Sequence, residues 1–304
     1  MDLAVSIPIA GREPAIRLGE GISVSILAYM VTAVVEGIVT RRLHLDDDSV
    51  TAFEATVERA LSDPSRVVLD RTHFYATGGG QPHDTGTLHA ATDDGQVWRV
   101  VDVEKRDTVY HTLEPVDADG AVDGEPVGPP EPGTAVTGEI DAARREVHSR
   151  YHTAQHLLSA LLLAEFDAPT TGNQLYDDHA HLDAAYDRFT DEDLDRIEAR
   201  LNELVADGRP VSKYTLDRET AEATLDAERT RIDLLPDSVR ELRIVEIGAS
   251  DGSAEADPYD RTACAGTHVS NTADVGEIVV TGRETKGADE ERVRFSLAEH
   301  VDGE

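Results

Sequence analysis

Two short motifs, far apart in the chain, constrain its fold more than any other feature. His152 and His156 form an HxxxH pair, and Cys264 and His268 form a CxxxH pair. Histidines four residues apart share one face of a helix, so both rings can reach a single ion. One cysteine with three histidines is a ligand set that suits zinc. If all four bind one zinc ion per chain, a helix must pack against a segment roughly a hundred residues further along.

Each pair also has a purely structural interpretation. Two helical histidines can be solvated or partly buried, and a cysteine beside a histidine can be a buried, unreactive thiol. The HTAQH segment has no glutamate between its histidines, so it lacks the general base of the HExxH metallopeptidases. The sequence therefore argues against a metallopeptidase.

The charge of the chain excludes other classes of protein. It has 61 acidic and 28 basic residues, a net charge of −33, and lysine occurs only at Lys105, Lys213 and Lys286. Such a composition excludes nonspecific nucleic-acid binding through a broad cationic surface. It is typical of proteins that stay dispersed in strong salt, so we expect a halophilic archaeal source. An ordinary acidic protein is the alternative.

The cysteine count and the N-terminal segment bear on location. The single cysteine, Cys264, excludes an intrachain disulfide and indicates a reducing compartment, so we expect a cytoplasmic protein. The apolar run Ile22–Val35 is shorter than the ~20 residues of a membrane-spanning helix and lacks the flanks of a signal peptide. We therefore expect no membrane association, and we interpret residues 1–37 as an N-terminal extension or a start assigned too early.

The hydrophobic periodicity changes near residue 139. Before it, short strands such as Val97–Val103 are separated by Gly, Asp and Pro clusters, which predicts a small β-barrel over residues 38–138. After it, Asp141 can cap a helix that runs to about Glu165, and a second helix is predicted over Asp191–Ala206. The fold class expected is α+β, with residues 139–304 forming an α+β domain that carries the zinc site.

A glycine-rich segment inside the predicted barrel is the third candidate for chemistry. Gly78, Gly79 and Gly80 follow Thr72 closely and precede Gln81. The segment matches neither a phosphate-binding Walker loop nor the dinucleotide pattern GxGxxG, and a plain tight turn is its default interpretation. Thr72 and Gln81 make it more specific, because both side chains could hydrogen-bond a polar substrate.

Three motifs together resemble one known family. They are TxFYxxGGGQPxDTG over residues 72–86, HTAQHLL over 152–158 and CAGTHVSNTADVG over 264–276. In this order and spacing they resemble the alanyl-tRNA editing proteins, the AlaX family, which are similar to the editing domain of alanyl-tRNA synthetase. The resemblance covers about residues 40–298. Ala76-Thr77 departs from it, because the family usually has Pro-Glu at these positions.

The resemblance implies a fold, a cofactor and an activity. It implies a β-barrel followed by an α+β editing domain, with zinc held by His152, His156, Cys264 and His268. The implied reaction is hydrolysis of the ester in mischarged tRNA(Ala), chiefly Ser-tRNA(Ala) and possibly Gly-tRNA(Ala), so tRNA is the expected partner. Zinc could activate a water molecule or position the substrate, and the sequence leaves both open.

The remaining site residues follow from the need to spare the correct alanyl ester. A site that hydrogen-bonds a substrate hydroxyl rejects the analogue that lacks it by on the order of 10⁴-fold. We assign that contact to Thr72, with Gln81 as the second candidate. We expect the backbone amides of Gly79 and Gly80 to stabilise the developing oxyanion or to hold the terminal ribose.

Two other functions are compatible with the same residues. One is a zinc hydrolase that acts on another aminoacyl ester. The other is a non-catalytic RNA-binding protein in which a closed zinc site only joins the two halves. The oligomeric state does not follow from the sequence.

Overall fold

The first half of the chain closes into a six-stranded β-barrel. A computed structural model describes residues 39–301 except 92–94, 117–127, 227–228, 231, 233–235, 237 and 249–256, so the predicted extension 1–37 lies outside the described residues. The strands are β1 Arg41–Arg42, β2 Ala52–Ser62, β3 Ser65–Leu69, β4 Arg71–Thr72, β5 Gly86–Ala90, β6 Val97–Lys105, β7 Val109–Val116 and β8 Ala135–Ile140. The closed barrel has the order β2-β3-β7-β6-β5-β8, and β1 pairs with β4 in parallel beside it.

Strand β2 shows why the barrel forms where it does. Its sequence is rich in Ala, Glu and Arg, which favour helix, but Phe53, Ala55 and Val57 alternate with more exposed residues and lie in the barrel core. The burial of that alternating face outweighs the local preference for helix. Antiparallel pairing with β3 on one side and β8 on the other completes the wall.

The second half is built from two antiparallel sheets and two long helices. Its elements are α1 Ala142–Phe166, β9 Thr170–Leu175, β10 Ala180–Ala184, α2 Asp191–Ala206, β11 Val211–Asp217, α3 Arg218–Thr224, β12 Glu241–Ile247, β13 Asp260–Ala263, β14 Ile278–Thr285, β15 Glu291–Leu297 and α4 Ala298–Val301. One sheet has the order β14-β15-β10-β9 and the other β11-β12-β13. The α+β class with an N-terminal barrel is therefore confirmed. None of the described helices is long and apolar enough to cross a membrane.

Helix α1 begins and ends at the residues that the sequence indicated. The Asp141 side chain accepts a hydrogen bond from the Arg144 backbone N–H, and Asp167 ends the helix in the left-handed conformation. Its middle, from Tyr151 to Leu162, is buried without interruption. A helix buried on all sides carries polar residues only where they have partners, and this places its histidines inside the molecule.

The predicted boundary between the two halves falls inside the last barrel strand. Strand β8 ends at Ile140, two residues beyond the predicted limit of 138, and α1 begins at Ala142. The barrel residues and the α1–α2 residues form separate hydrophobic cores. The division into domains 38–138 and 139–304 stays a prediction.

A buried ion pair joins the two halves. Nε of Arg145 in α1 lies 3.0 Å from Oδ1 of Asp84 in the barrel segment, and both side chains are almost completely buried. Arg145 also donates to the backbone carbonyls of Asp48 and His73, while Asp84 accepts from the Tyr75 N–H. Every polar atom of the pair therefore has a partner, as a buried charge requires.

We predict that Asp84→Ala destabilises the protein strongly. The substitution leaves the Arg145 guanidinium buried without its carboxylate, which costs about 3–5 kcal/mol in the free energy of unfolding. Glu114→Ala, which removes half of the exposed pair with Arg99, is the matched control and should cost about 1 kcal/mol or less. Urea denaturation at one salt concentration measures both, and equal losses would contradict the structural role of the buried pair.

Candidate metal centre

The four residues of the two separated motifs meet at one point. One ligand atom from each of His152, His156, Cys264 and His268 lies within 4.8 Å of the other three. The Cys264 sulfur is 3.6 Å from Nε2 of His152 and 3.4 Å from Nε2 of His268. Ligand atoms around a tetrahedral zinc lie about 3.5 Å apart. The spacing therefore fits a single zinc-sized cation.

The CxxxH segment approaches α1 so closely that a glycine is required in it. A Cβ atom built at Gly266 would lie 2.1 Å from Cε1 of His152, well inside contact distance. Only a residue without a side chain lets the turn after β13 bring Cys264 and His268 to the helix. This explains the small residues of the CAGTH motif.

Each histidine is oriented by a hydrogen bond at its other ring nitrogen. Nδ1 of His152 donates to Oε1 of Gln81 at 2.8 Å, and Nδ1 of His156 donates to the Asp260 carboxylate at 2.9 Å. The Thr153 hydroxyl donates to the Ser149 carbonyl, so it accepts from Nδ1 of His268 at 3.3 Å. The Nε2 atom of each ring therefore faces the centre of the cluster. In metal sites, too, a hydrogen bond at the other ring nitrogen fixes the orientation of the ligand.

The amide orientation of Gln81 follows from a backbone group. Its Oε1 also accepts from the Thr267 N–H at 3.1 Å, and its Nε2 donates to the Thr267 hydroxyl at 3.0 Å. Because a backbone N–H can only donate, the carbonyl end of Gln81 must face it. Gln81 is completely buried, and it ties the barrel to the HxxxH helix and to the CxxxH turn.

The electrostatics of the cluster favour a thiolate. Burial raises the pKa of the Cys264 thiol, but the adjacent His152 and His268 more than compensate, so that pKa lies well below its ordinary value. Burial lowers the pKa of His268 far below the usual range. Burial also lowers the pKa of His156, but the hydrogen bonds and negative charges of Asp260 and Cys264 together outweigh it and raise that pKa to about 9. A thiolate among imidazoles is the set that borderline-soft divalent metals prefer.

Two cavities adjoin the cluster, and different segments of the chain line them. The first, of about 220 Å³, is lined by α1, β9 and β13 residues and is called here the helix-side cavity. The second, of about 310 Å³, is lined by the segment around β1, the glycine-rich loop and the CxxxH turn and is called the loop-side cavity. His152, Ala263 and Cys264 line both. A molecule held in both cavities would therefore pass directly over the ligand atoms.

The glycine-rich loop borders the loop-side cavity. Gly80 has φ +81° and a Cβ there would lie 2.6 Å from the Asn173 side chain, so no larger residue fits. The backbone N–H groups of Gly79 and Gly80 make no hydrogen bond with any described residue. Gly79 itself is exposed. These donors are available to a ligand.

Comparisons with known proteins identify the family of this chain. Residues 37–144 match the family described as class II (A) tRNA synthetases, and residues 242–294 match the second additional domain of threonyl- and alanyl-tRNA synthetases. The chain is 35% identical over 261 residues to the alanyl-tRNA editing protein AlaX-M of Methanosarcina barkeri, covering 86% of this chain and all of the relative. It belongs to the alanyl-tRNA editing protein family.

Other relatives extend the comparison. The AlaX-M protein of Methanosarcina acetivorans is 34% identical over 85% of this chain and 99% of its own. The alanine--tRNA ligase of Methanothrix thermoacetophila is 37% identical over 81% of this chain, which corresponds to 24% of the ligase. The similarity to ligases therefore concerns one part of those longer proteins.

The two side chains that the sequence assigned to the substrate are both buried, and they have protein partners. Thr72 is completely buried in the barrel, where its hydroxyl lies 2.9 Å from Nε2 of His111 and accepts from the Phe74 N–H. It lines neither cavity, because its strand β4 turns it towards the barrel interior. Gln81 is bound to His152 and Thr267. The structure thus gives Gln81 an orienting contact to a candidate metal ligand and does not bring Thr72 to the cluster.

Sequence reasoning missed three partners of the histidines. Asp260, Thr153 and Thr267 are buried and hydrogen-bonded to the cluster or to Gln81. Asp260 is one carboxylate among 61 acidic residues, and neither its neighbours nor its spacing distinguishes it. Thr153 and Thr267 lie inside the two motifs, so their position was the one available signal.

We predict that the purified protein holds about one zinc ion per chain and that its outer partners tune the affinity. Cys264→Ala removes a candidate ligand and should abolish stoichiometric binding, whereas Asp260→Asn should weaken it about 10- to 100-fold. His179→Ala, at an exposed histidine on another surface, should leave the affinity unchanged. Elemental analysis and competition with a chromogenic chelator measure this, and full zinc retention by Cys264→Ala would contradict the site.

We also predict an acid-sensitive contribution from His111. Burial lowers the pKa of His111 from 6.5 to about 4, so between these pH values the unfolded chain binds a proton that the folded chain does not. Stability therefore falls as the pH drops from 6.5 to 4, by up to about 3 kcal/mol. His111→Gln should show a flatter pH dependence of its unfolding free energy, and parallel curves for the two proteins would argue against this assignment.

Proposed function

We propose that the protein is a trans-editing hydrolase that removes the wrong amino acid, chiefly serine, from mischarged tRNA(Ala) in a zinc-dependent reaction. The observation that carries this is the shared wall of the two cavities, where His152 and Cys264 belong to both. Alanyl-tRNA editing proteins deacylate mischarged aminoacyl-tRNA. An aminoacyl ester has two parts on either side of the bond that breaks, and this site offers one cavity for each.

The helix-side cavity suits a small polar amino acid. Hydroxyls of Ser159, Thr170 and Thr262 and the amides of Gln155 and Asn173 line it beside the cluster. Ser159 and Thr170 are hydrogen-bonded to each other, and Arg229 donates to Ser159. Serine adds one hydroxyl to alanine, and the hydroxyls of this wall can hydrogen-bond it, a contact that alanine cannot make. We therefore assign the seryl hydroxyl contact to Thr170 and Ser159 in place of Thr72.

The chain's own residues prepare the reaction. Zinc, when bound by the two histidines of α1 with Cys264 and His268, supplies Lewis-acid chemistry to the ester or to a water molecule. Gln81, Asp260 and Thr153 keep the rings turned so that Nε2 faces the centre. We assign to the N–H groups of Gly79 and Gly80, which bond no described residue, the role of stabilising the negative charge that develops on the ester carbonyl oxygen, or of holding the terminal ribose.

Binding of tRNA by so acidic a protein depends on local contacts. With a net charge of −33, broad attraction to phosphate is unavailable, so shape, stacking and hydrogen bonds at the acceptor end carry recognition. We propose that this takes place in the cytoplasm at high salt, where repulsion between the acidic protein and tRNA is screened.

A test of the serine assignment compares two neighbouring threonines. Thr170→Val should lower kcat/KM for Ser-tRNA(Ala) about 10- to 100-fold and leave Gly-tRNA(Ala) hydrolysis nearly unchanged, because glycine has no hydroxyl. Thr171→Val is the matched control, since the Thr171 hydroxyl donates to Glu290 on the surface. Deacylation assays on Ser-, Gly- and Ala-tRNA(Ala) at molar salt give the result, and equal losses for serine and glycine would refute the assignment.

The same assays separate the two alternative functions. Equal rates with Ser-tRNA(Ala) and Ser-tRNA(Ser) would favour a hydrolase of another aminoacyl ester. No hydrolysis of any of these substrates by the zinc-loaded protein would favour a non-catalytic RNA-binding protein. Loss of activity on addition of a chelator, with recovery on addition of zinc, is the result that the proposed function requires.

A further inference from the structure

Two positively charged side chains line the loop-side cavity, and the proposed reaction uses neither of them. Arg42 and Lys105 both line it, together with Gly79 and the ligand residues His152 and Cys264. Among the described residues that line this cavity there is no aspartate or glutamate. In a chain with 61 acidic residues, a cavity with two cations and no carboxylate is unusual.

Neither cation is neutralised by the described part of the protein. The side chains of Arg42 and Lys105 form no ion pair or hydrogen bond with any described residue, whereas Lys213 pairs with Asp48 and Lys286 pairs with Glu284. Arg41, the neighbour of Arg42, pairs with a carboxylate at 2.9 Å. The carboxylate that pairs with Arg41 thus lies close in sequence to Arg42, but no described carboxylate lines the cavity.

The wall around Arg42 is electropositive and partly desolvated. Burial lowers the pKa of Arg42, and a half-buried guanidinium without a counter-charge is costly unless a ligand supplies one. Burial together with Arg145, Arg42 and Arg243 lowers the pKa of His44 well below its usual value, so this buried ring stays neutral. Its Nδ1 has no hydrogen-bond partner in the described structure.

We propose that the loop-side cavity is a phosphate site, in which Arg42 and Lys105 bind the 5′ phosphodiester of the terminal nucleotide. This rests on the proposed function, because the ester and that phosphate belong to the same nucleotide. Arg42 and Lys105 line the same cavity as His152 and Cys264, so an ester held at these two ligand residues brings the phosphate of its own nucleotide into that cavity. Guanidinium and ammonium groups are donors that bind phosphate.

The site would let a protein of net negative charge bind RNA at one phosphate. Two cations in one cavity attract a single phosphate without making the whole surface cationic. They also fix the register of the strand, since phosphate contacts position a nucleic acid without reading its bases. The terminal ester is then held at the ligand cluster whatever the sequence of the tRNA.

The decisive experiment compares adenosine 5′-monophosphate with adenosine as ligands of the zinc-loaded full chain. The nucleotide should bind about tenfold more tightly, and Arg42→Gln and Lys105→Gln should each remove most of that preference. Arg41→Gln is the matched control and should retain it. Calorimetry measures the four proteins, and inorganic phosphate should compete with the nucleotide but not with adenosine. Equal binding of nucleotide and nucleoside by the unmodified protein would overturn the proposal.

A second measurement separates this proposal from the proposed function. Both Gln variants should lower kcat/KM for Ser-tRNA(Ala) about tenfold, with zinc content and thermal unfolding unchanged. Lys105 is exposed, so its variant remains informative if Arg42→Gln fails to fold.

If the unmodified protein does not deacylate Ser-tRNA(Ala), the proposed function is wrong and the nucleotide comparison still decides the phosphate site. If deacylation occurs but Lys105→Gln leaves both rate and nucleotide preference intact, the phosphate site is wrong.

Discussion

Hydrogen bonds at the outer ring nitrogens of three histidines are the constraint on which the site depends. Without them each imidazole could turn its protonated nitrogen towards the centre and none would accept a metal there. The partners come from different elements: Gln81 from the barrel, Thr153 from α1 and Asp260 from β13. The correct tautomers therefore require the barrel, the long helix and the three-stranded sheet to be packed together.

Basic residues are scarce in this chain, and several of them hold the segments around the site. The Asp48 carboxylate forms ion pairs with Lys213 and Arg243 and accepts a hydrogen bond from the backbone N–H of His268. The turn that carries the CxxxH motif is thereby held against the start of the barrel. Arg229 likewise bonds the Asp260 carboxylate that orients His156. Lys213, Arg243 and Arg229 thus hold the segments that carry the site in place.

Much of this architecture follows from the sequence, because its signals are local. The cap at Asp141 and the HxxxH spacing each depend on a few neighbouring residues. Strand β2 was not predicted because its residues favour helix and only barrel closure reveals the buried face. The buried position of Thr72 and the role of Gln81 also escaped prediction, since each depends on contacts with distant residues such as His111 and Thr267.

The position of Cys264 and His268 along the chain has a consequence for synthesis. Their turn follows β13, long after the barrel and α1 have left the ribosome. Until it docks, Gly266 does not contact His152 and the Gln81 carbonyl lacks the Thr267 N–H that fixes it. A growing polypeptide that has not yet reached this turn therefore carries His152 and His156 without Cys264 and His268, and the four-residue cluster forms only after β13 has been made.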